Sequence, residues 1–267
     1  MTTINKNHFF TIITASFNNE PTIKQTLESI RNQTFKNLEH IIIDGGSEDA
    51  TIDILKAAEN TYNLTWISER DEGIADALNK GIQQSTGCYI LVIQADDRLL
   101  ENTTLETIYP MVECEEYDMH RFPVLYENPR GKRQIGRLVG LLWWNRFRNI
   151  FSHQGVLVHR RVFEQIGNFN TAYSISMDYD FFYRSLKAGC TVKSTNHPIA
   201  IVGTGGISSR CSHLSTRLLE EIRVQKRHET ALGWRLAQRI FWTLYFPYKT
   251  RLKAGKKPFC HTPRHQT

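Results

Sequence analysis

Two adjacent carboxylates, Asp96 and Asp97, follow an apolar run after only Gln94 and Ala95, and another acid, Asp44, ends a second such run. Carboxylates side by side at the end of a buried strand repel, and one is driven to protonate unless a cation lies close. Mg2+ or Mn2+ relieves the conflict, because these hard ions take one or two carboxylates together with substrate phosphate oxygens. The alternative for Asp96-Asp97-Arg98 taken alone is a solvated turn that caps the next helix. A second acidic pair, Asp178 and Asp180, flanks Tyr179 ahead of a helical stretch, where both acids could also be caps.

The elements that must position these acids follow from two alternating periodicities. Residues 9–15 are β-branched and apolar and read as a buried strand. Pro21 suits a first helical turn, and Ile23, Leu27 and Ile30 repeat at helical spacing. Residues 40–43 form a second strand that ends at Asp44, and Ser47 caps a helix with Ile52 and Leu55 inside. Residues 64–67 form a third strand. Ile74, Leu78 and Ile82 make a third helical stripe, closed by Gly87, and residues 89–93 form a fourth strand. This alternation predicts an α/β fold with a mostly parallel sheet and helices on its faces. Ligands in such sheets bind beyond the carboxyl ends of the strands. Further on, the pattern predicts a basic loop or hairpin over 128–137, a tryptophan-rich segment over 141–147, and a strand over 156–159. Helices over 161–166 and 180–188, a strand over 199–202 and a helix from Leu214 complete the reading.

The stretch Asp71-Glu72-Gly73-Ile74-Ala75-Asp76-Ala77-Leu78-Asn79-Lys80-Gly81 lies upstream of Gly87-Cys88-Tyr89-Ile90 and Gln94-Ala95-Asp96-Asp97. In order and spacing these segments resemble the family 2 glycosyltransferases of bacterial polysaccharide, O-antigen and colanic-acid synthesis. Thr14–Asn19 and the segment from Ile42 through Thr51 resemble that family's first nucleotide-contacting loops. The resemblance continues through Ser152-His153-Gln154, Gly167-Asn168-Phe169 and Met177-Asp178-Tyr179-Asp180 to about Ser208. It implies a GT-A fold over residues 1–212, with a nucleotide-binding half (1–100) and an acceptor-binding half (101–212), followed by a basic, aromatic-rich helical extension (213–267).

The roles it implies are these. Thr14, Ser16 and Asn18 line the base pocket, Asp44 meets the nucleobase, and Asp71 lies near the donor's sugar or base. Gln94 stands where the fuller pattern has an acid. Asp96 faces the ribose or the metal, and Asp97 holds the Mn2+ or Mg2+ that bridges the two phosphates. Asp178 is the general base, with Asp180 the alternative, since a sugar hydroxyl must lose its proton as it attacks. His153, Gln154 and Arg210 contact the acceptor or the phosphates. The implied reaction is inverting transfer of a hexose from a nucleotide sugar, with a UDP-sugar favoured, to a glycan or lipid-diphosphate acceptor.

Charge is divided along the 267 residues. Residues 1–100 carry 8 Lys/Arg against 14 Asp/Glu, and residues 101–267 carry 25 against 13. Arg130, Lys132, Arg133, Arg137, Arg146 and Arg148 cluster around Trp143, Trp144 and Phe147. Aromatic rings among positive charges suit an anionic membrane interface. The alternative is a packed helical extension with a solvated basic face. No nucleic-acid-binding module is recognisable, so no nucleic-acid partner is expected. Five scattered cysteines without paired spacing argue for a reducing compartment. The short N-terminal apolar run is no signal peptide, so a cytoplasmic protein at the inner membrane face is expected. A dinucleotide-dependent oxidoreductase would need a glycine-rich phosphate cradle after the first strand, where Ser16-Phe17-Asn18-Asn19 stands instead. A non-catalytic, membrane-recruited sugar-nucleotide-binding module is the other reading, against which the retained acids argue.

Overall fold

The structure is a computed structural model and describes residues 8–113, 117–128, 130–136, 138, 140–203 and 213–254. β1 (Phe10–Ser16), α1 (Ile23–Arg31), β2 (Leu38–Asp44), α2 (Thr51–Ala58), β3 (Leu64–Ser68), α3 (Ile74–Gln84) and β4 (Tyr89–Val92) follow in the predicted order. Then come β5 (Arg98–Leu99), α4 (Thr104–Glu113), β6 (Met119–Arg121) and the hairpin of β7 (Val124–Glu127) with β8 (Arg133–Ile135). β9 (Val156–His159), α5 (Arg160–Ile166), α6 (Met177–Lys187), β10 (Val192–Ser194) and β11 (Ala200–Gly203) precede the last helices, α7 (Leu214–His228) and α8 (Leu232–Ala254).

Seven strands form the main sheet in the order β10-β6-β9-β4-β1-β2-β3. β1 pairs in parallel with β2 and β4, and β2 with β3, while β9 runs antiparallel between β4 and β6. A second sheet has the order β5-β11-β7-β8. Every residue of β1 is buried, as expected where helices cover both faces of a parallel sheet. Phe10 and Ile12 join the apolar cluster on one face, and Ile13 and Ala15 join the cluster on the other. The strand's two interior threonines are satisfied internally. Thr11 Oγ1 donates to Glu39 (2.6 Å), and Thr14 Oγ1 donates to the carbonyl of Ile93 (2.7 Å).

Several local expectations shift. Pro21 precedes α1, whose cap position is Thr22, and α2 begins after Ala50, so Ser47 is not its cap. Instead the Ser47 hydroxyl donates to Asp44 (2.5 Å). α6 begins at Met177, three residues before the predicted 180, which puts Asp178 and Asp180 in its first turn. α4, β5, β6 and β10 had no clear sequence signal. The three strands are two or three residues long, and α4 contains Pro110.

The C-terminal helices pack onto this body. Val224 of α7 is fully buried in the same cluster as Tyr179 and Phe181 of α6. Gln225 Nε2 donates to the carbonyl of Phe147 and to Tyr179 Oη, while Gln225 Oε1 accepts from Trp242 Nε1 of α8 (2.9, 2.8 and 2.6 Å). The Glu220 carboxylate receives the backbone N–H groups of Ser174, Ile175 and Ser176 (3.0, 3.0 and 2.8 Å). Those are the last residues before α6, so a carboxylate of α7 fixes the segment that leads into that helix.

Gly87 stands at a close approach between chains of the main sheet. A Cβ added there would lie 2.6–2.8 Å from Thr11 Oγ1, the Thr11 nitrogen and the Phe10 carbonyl carbon. Gly87→Ala is therefore expected to cost about 2–3 kcal/mol through backbone displacement. In a thermal melt that is a fall of about 5–10 °C. Gly140→Ala, where an added Cβ meets nothing within 4 Å, is expected to leave Tm almost unchanged. Equal melting of the two variants would overturn this account of Gly87.

Candidate active site

The loops after β1, β2 and β3 are laced together by side-chain to backbone bonds. Asp44 is fully buried and accepts from the amides of Gly46 and Ser47 and from the hydroxyls of Ser47 and Ser68. Its two oxygens are thus occupied in holding the 45–47 turn against β3. Asn18 takes a left-handed backbone (φ 51°) and accepts from the amide of Glu48 (2.9 Å), while its own amide donates to Ser47 Oγ (2.8 Å). Asp71 receives the amide of Gly73 (2.8 Å) and lies against Gly45, where an added Cβ would come 2.7 Å from its Oδ2. Exposed Phe17 borders the same glycine. Ser16 Oγ is buried with no hydrogen-bond partner.

Thr14, expected to line a base pocket through backbone and side-chain contacts, has a side chain that is buried and bonded internally. Because its hydroxyl proton goes to Ile93, it must accept Nε2–H of His40 (2.9 Å), which leaves His40 Nδ1 to accept from Tyr62 Oη (2.7 Å). Burial pushes His40 down to about 3, so its ring is neutral and this chain of bonds is structural.

At the end of β4, the amide of Asp97 donates to the carbonyl of Gln94 (2.9 Å) and closes a tight turn. Asp97 is 2% exposed. Its Oδ2 accepts from Gln154 Nε2 (2.7 Å) and its Oδ1 from the amide of Gly203 (3.0 Å). Burial first, and then the neighbouring Asp96 charge, push its carboxyl up to about 7, against the opposing pull of those two donors and His153. This is the conflict that the adjacent acids predicted, and it stands partly relieved.

Next to it lies a cavity of about 370 Å³ whose wall includes Tyr126, Asn149, Phe151, His153, Met177 and Asp178. Asp178 Oδ2 accepts from Asn149 Nδ2 (3.0 Å) and faces His153 Nδ1 at 3.5 Å, and its Oδ1 accepts its neighbour's amide at Tyr179 (2.7 Å). Burial would lower the His153 pKa, but Asp178, with Asp97 and Asp96 behind it, outweighs that and raises it. His153 Nε2 is buried without a hydrogen-bond partner.

Asp180, the alternative base, is corrected. It is fully buried, its Oδ2 receives Arg184 Nε (2.8 Å), and its Oδ1 meets His228 Nε2 of α7 (2.7 Å). Its carboxylate is spent on joining α6 to α7. Arg210 lies outside the described residues.

Asp96, Asp97, His153, Gln154 and Asp178 therefore converge, while Asp44, Asn18 and Asp71 form a second group at the β1–β3 end of the same sheet edge. Sequence reasoning missed Asn149 and Phe17. A lone aromatic directly after a buried strand was the available signal for Phe17, whereas nothing local marks Asn149. Among the described residues no group of three or more His, Cys, Asp or Glu is arranged to hold a metal ion. The two adjacent carboxylates still fit a divalent ion that draws the rest of its shell from phosphate and water.

Residues 11–178 match the family model for glycosyl transferase family 2. A PGL/p-HBAD biosynthesis glycosyltransferase of Mycobacterium bovis is 29% identical over 197 residues, which cover 71% of this chain and 74% of that protein. Among solved structures, S. aureus TarS 1–349 in complex with UDP-GlcNAc superposes with a TM-score of 0.73 at 16% identity, covering 92% of this chain and 76% of that one. This chain covers 46% of a longer TarS chain. The mannosyltransferase PcManGT from Pyrobaculum calidifontis, in complex with GDP-Man and Mn2+, gives 0.66 at 17% identity, covering 94% and 74%. The shared architecture is a GT-A-like α/β fold with a mostly parallel central sheet.

The raised carboxyl of Asp97 has a thermodynamic consequence. Its folded-state pKa near 7 exceeds an unfolded value of about 3.9. The folded chain therefore binds the extra proton, and its stability falls as pH rises between those values. Asp97→Asn is expected to stabilise the metal-free protein at about pH 8 by on the order of 1 kcal/mol, or about 2–4 °C, and the gain should vanish near pH 4. A variant that melts lower than the parent at both pH values would refute this.

Proposed function

The chain belongs to glycosyl transferase family 2, and we propose that it moves a hexose, with inversion, from a UDP-sugar to a hydroxyl of a glycan or lipid-diphosphate acceptor in bacterial surface polysaccharide synthesis. The observation that carries this reading is the convergence at one cavity of Gln154, which bonds Asp97 behind it, with His153 and Asp178. The nearby fold of TarS with bound UDP-GlcNAc supports the choice of a UDP-sugar.

In this reading the 45–47 turn, held by Asp44, and the face of Phe17 form the seat of the nucleobase. Asp71 lies against that turn, where it would meet the nucleoside. The diphosphate lies toward Asp96 and Asp97, where His153 Nε2 and the Gln154 amide are near. Asp96 and Asp97 would hold a divalent ion, as PcManGT binds Mn2+; when bound it offsets the charge of the departing nucleoside diphosphate.

The acceptor enters the cavity walled by Tyr126, Asn149 and Phe151. One hydroxyl of it donates to Asp178, which takes the proton as the oxygen attacks the anomeric carbon and the bond to the diphosphate breaks. Asn149 and His153 fix the orientation of that carboxylate. Preorganisation of this kind lets the charge develop without reorganising water.

Asp178→Asn is expected to lower kcat for sugar transfer by about 10²–10⁴-fold, with the donor KM little changed because Asp178 is placed on the acceptor side. Steady-state kinetics over a panel of UDP- and GDP-sugars with Mn2+ or Mg2+ would measure both. Undiminished transfer by that variant, with the anomeric configuration followed by NMR, would remove Asp178 from the reaction.

A further inference from the structure

α8 carries an apolar stripe that no described residue covers. Leu232, Leu236, Ile240, Leu244 and Tyr248 recur at every fourth position and are 56–80% exposed, while Gln238 and Trp242 on the opposite side are buried. Exposed Trp143 and Trp144 adjoin this helix: the Trp143 ring lies 6.2 Å from Trp234, and the Trp144 ring 6.2 Å from Phe241. Arg235 and Arg239 each precede a residue of the stripe and are exposed beside it. From Thr230 to Thr267 the sequence contains no Asp or Glu.

Charge decides what this face takes. A second copy packed on the stripe would bring two sets of Arg235 and Arg239 together, with no carboxylate from this segment to offset them. An anionic lipid surface supplies that charge while the apolar side chains enter the acyl boundary. No helix among the described residues is long and apolar enough to cross a membrane, so the contact is one of lying on the surface.

We propose that the outer face of α8, with Trp143 and Trp144, docks onto an anionic lipid bilayer and lies in its interface. Tyr245 of α8 accepts from Arg148, which lines the cavity beside Asn149, so the docked helix ties the cavity to headgroup level. A lipid-carried acceptor would then reach Asp178 from the bilayer; that last step rests on the glycosyl-transfer reading, whereas the docking does not.

The test is flotation of the full chain with phosphatidylcholine vesicles, with and without about 30% phosphatidylglycerol, at about 50 and 500 mM salt. Binding is expected only with the anionic lipid, and is expected to weaken at the higher salt. The combined Leu236→Glu, Ile240→Glu, Leu244→Glu variant should lose at least about tenfold in affinity, with its circular dichroism and Tm unchanged. Arg235→Gln with Arg239→Gln should lose a smaller factor, and lose it mainly at low salt. Asp178→Asn should float like the parent, which separates this surface from the fate of the proposed chemistry. Parent protein left unbound by anionic vesicles at low salt would overturn the proposal. So would a folded triple-Glu variant that binds like the parent, or a stripe that instead holds a dimer in sedimentation.

Discussion

A carboxylate buried at the end of β4 beside a second carboxylate sets the terms for much of this molecule. Water cannot solvate Asp97 there, so each oxygen must be given a donor from the protein. The donors are Gln154 Nε2 and the amide of Gly203, and they come from chain segments far beyond β4. The turn His153–Gly155 and the end of β11 must therefore both reach the 94–97 turn. β9 follows that turn directly and runs antiparallel into the gap between β4 and β6. Even so, the compensation is incomplete: two neutral donors do not cancel the burial and then the repulsion of Asp96, and the Asp97 carboxyl stays raised. An arrangement left unfavourable in the free protein is the kind that a cationic ligand can exploit.

The same logic explains why the last helices are not an appendage. α6 must start at a fixed place for Asp178 to face Asn149 and His153. The three amides that lead into it, of Ser174, Ile175 and Ser176, are gathered by one carboxylate of α7, Glu220, while Asp180 in its first turn is bonded by Arg184 and His228. Two acids two residues apart on one helix point to different sides, and each finds different partners. Glu221 adds a buried pair with Arg148 (2.5 Å), whose guanidinium also meets Tyr245 of α8. Buried polar networks of this sort stabilise little unless complete, but when complete they enforce one geometry.

The charge division along the chain takes a spatial meaning in this frame. Acids concentrate where the first strands end. The basic residues of the second half are partly consumed in buried pairs, as at Arg148, Arg146 with Glu229, and Arg184. Others, such as Arg235 and Arg239, stay on the outside of α8.

The sequence alone determined the alternation of strands and helices through residue 93, because β-branched runs and three- to four-residue apolar spacing are local and strong signals. It also determined that Asp96 and Asp97 would stand exposed to each other at a strand end, and the ordered motifs carried the family. It named Asp178 first and Asp180 as the alternative only through the family resemblance, since both fit the same helical turn; that Asp180 is bonded to His228 and Arg184 was not legible in it. Nor could it show that Thr14 turns inward to His40, that Ser47 serves Asp44 instead of α2, or that Asn149 holds Asp178. Strand identity and helix phase are written in neighbours along the chain. Which polar atom is spent internally and which faces a cleft depends on partners dozens of residues away, and only packing brings those together.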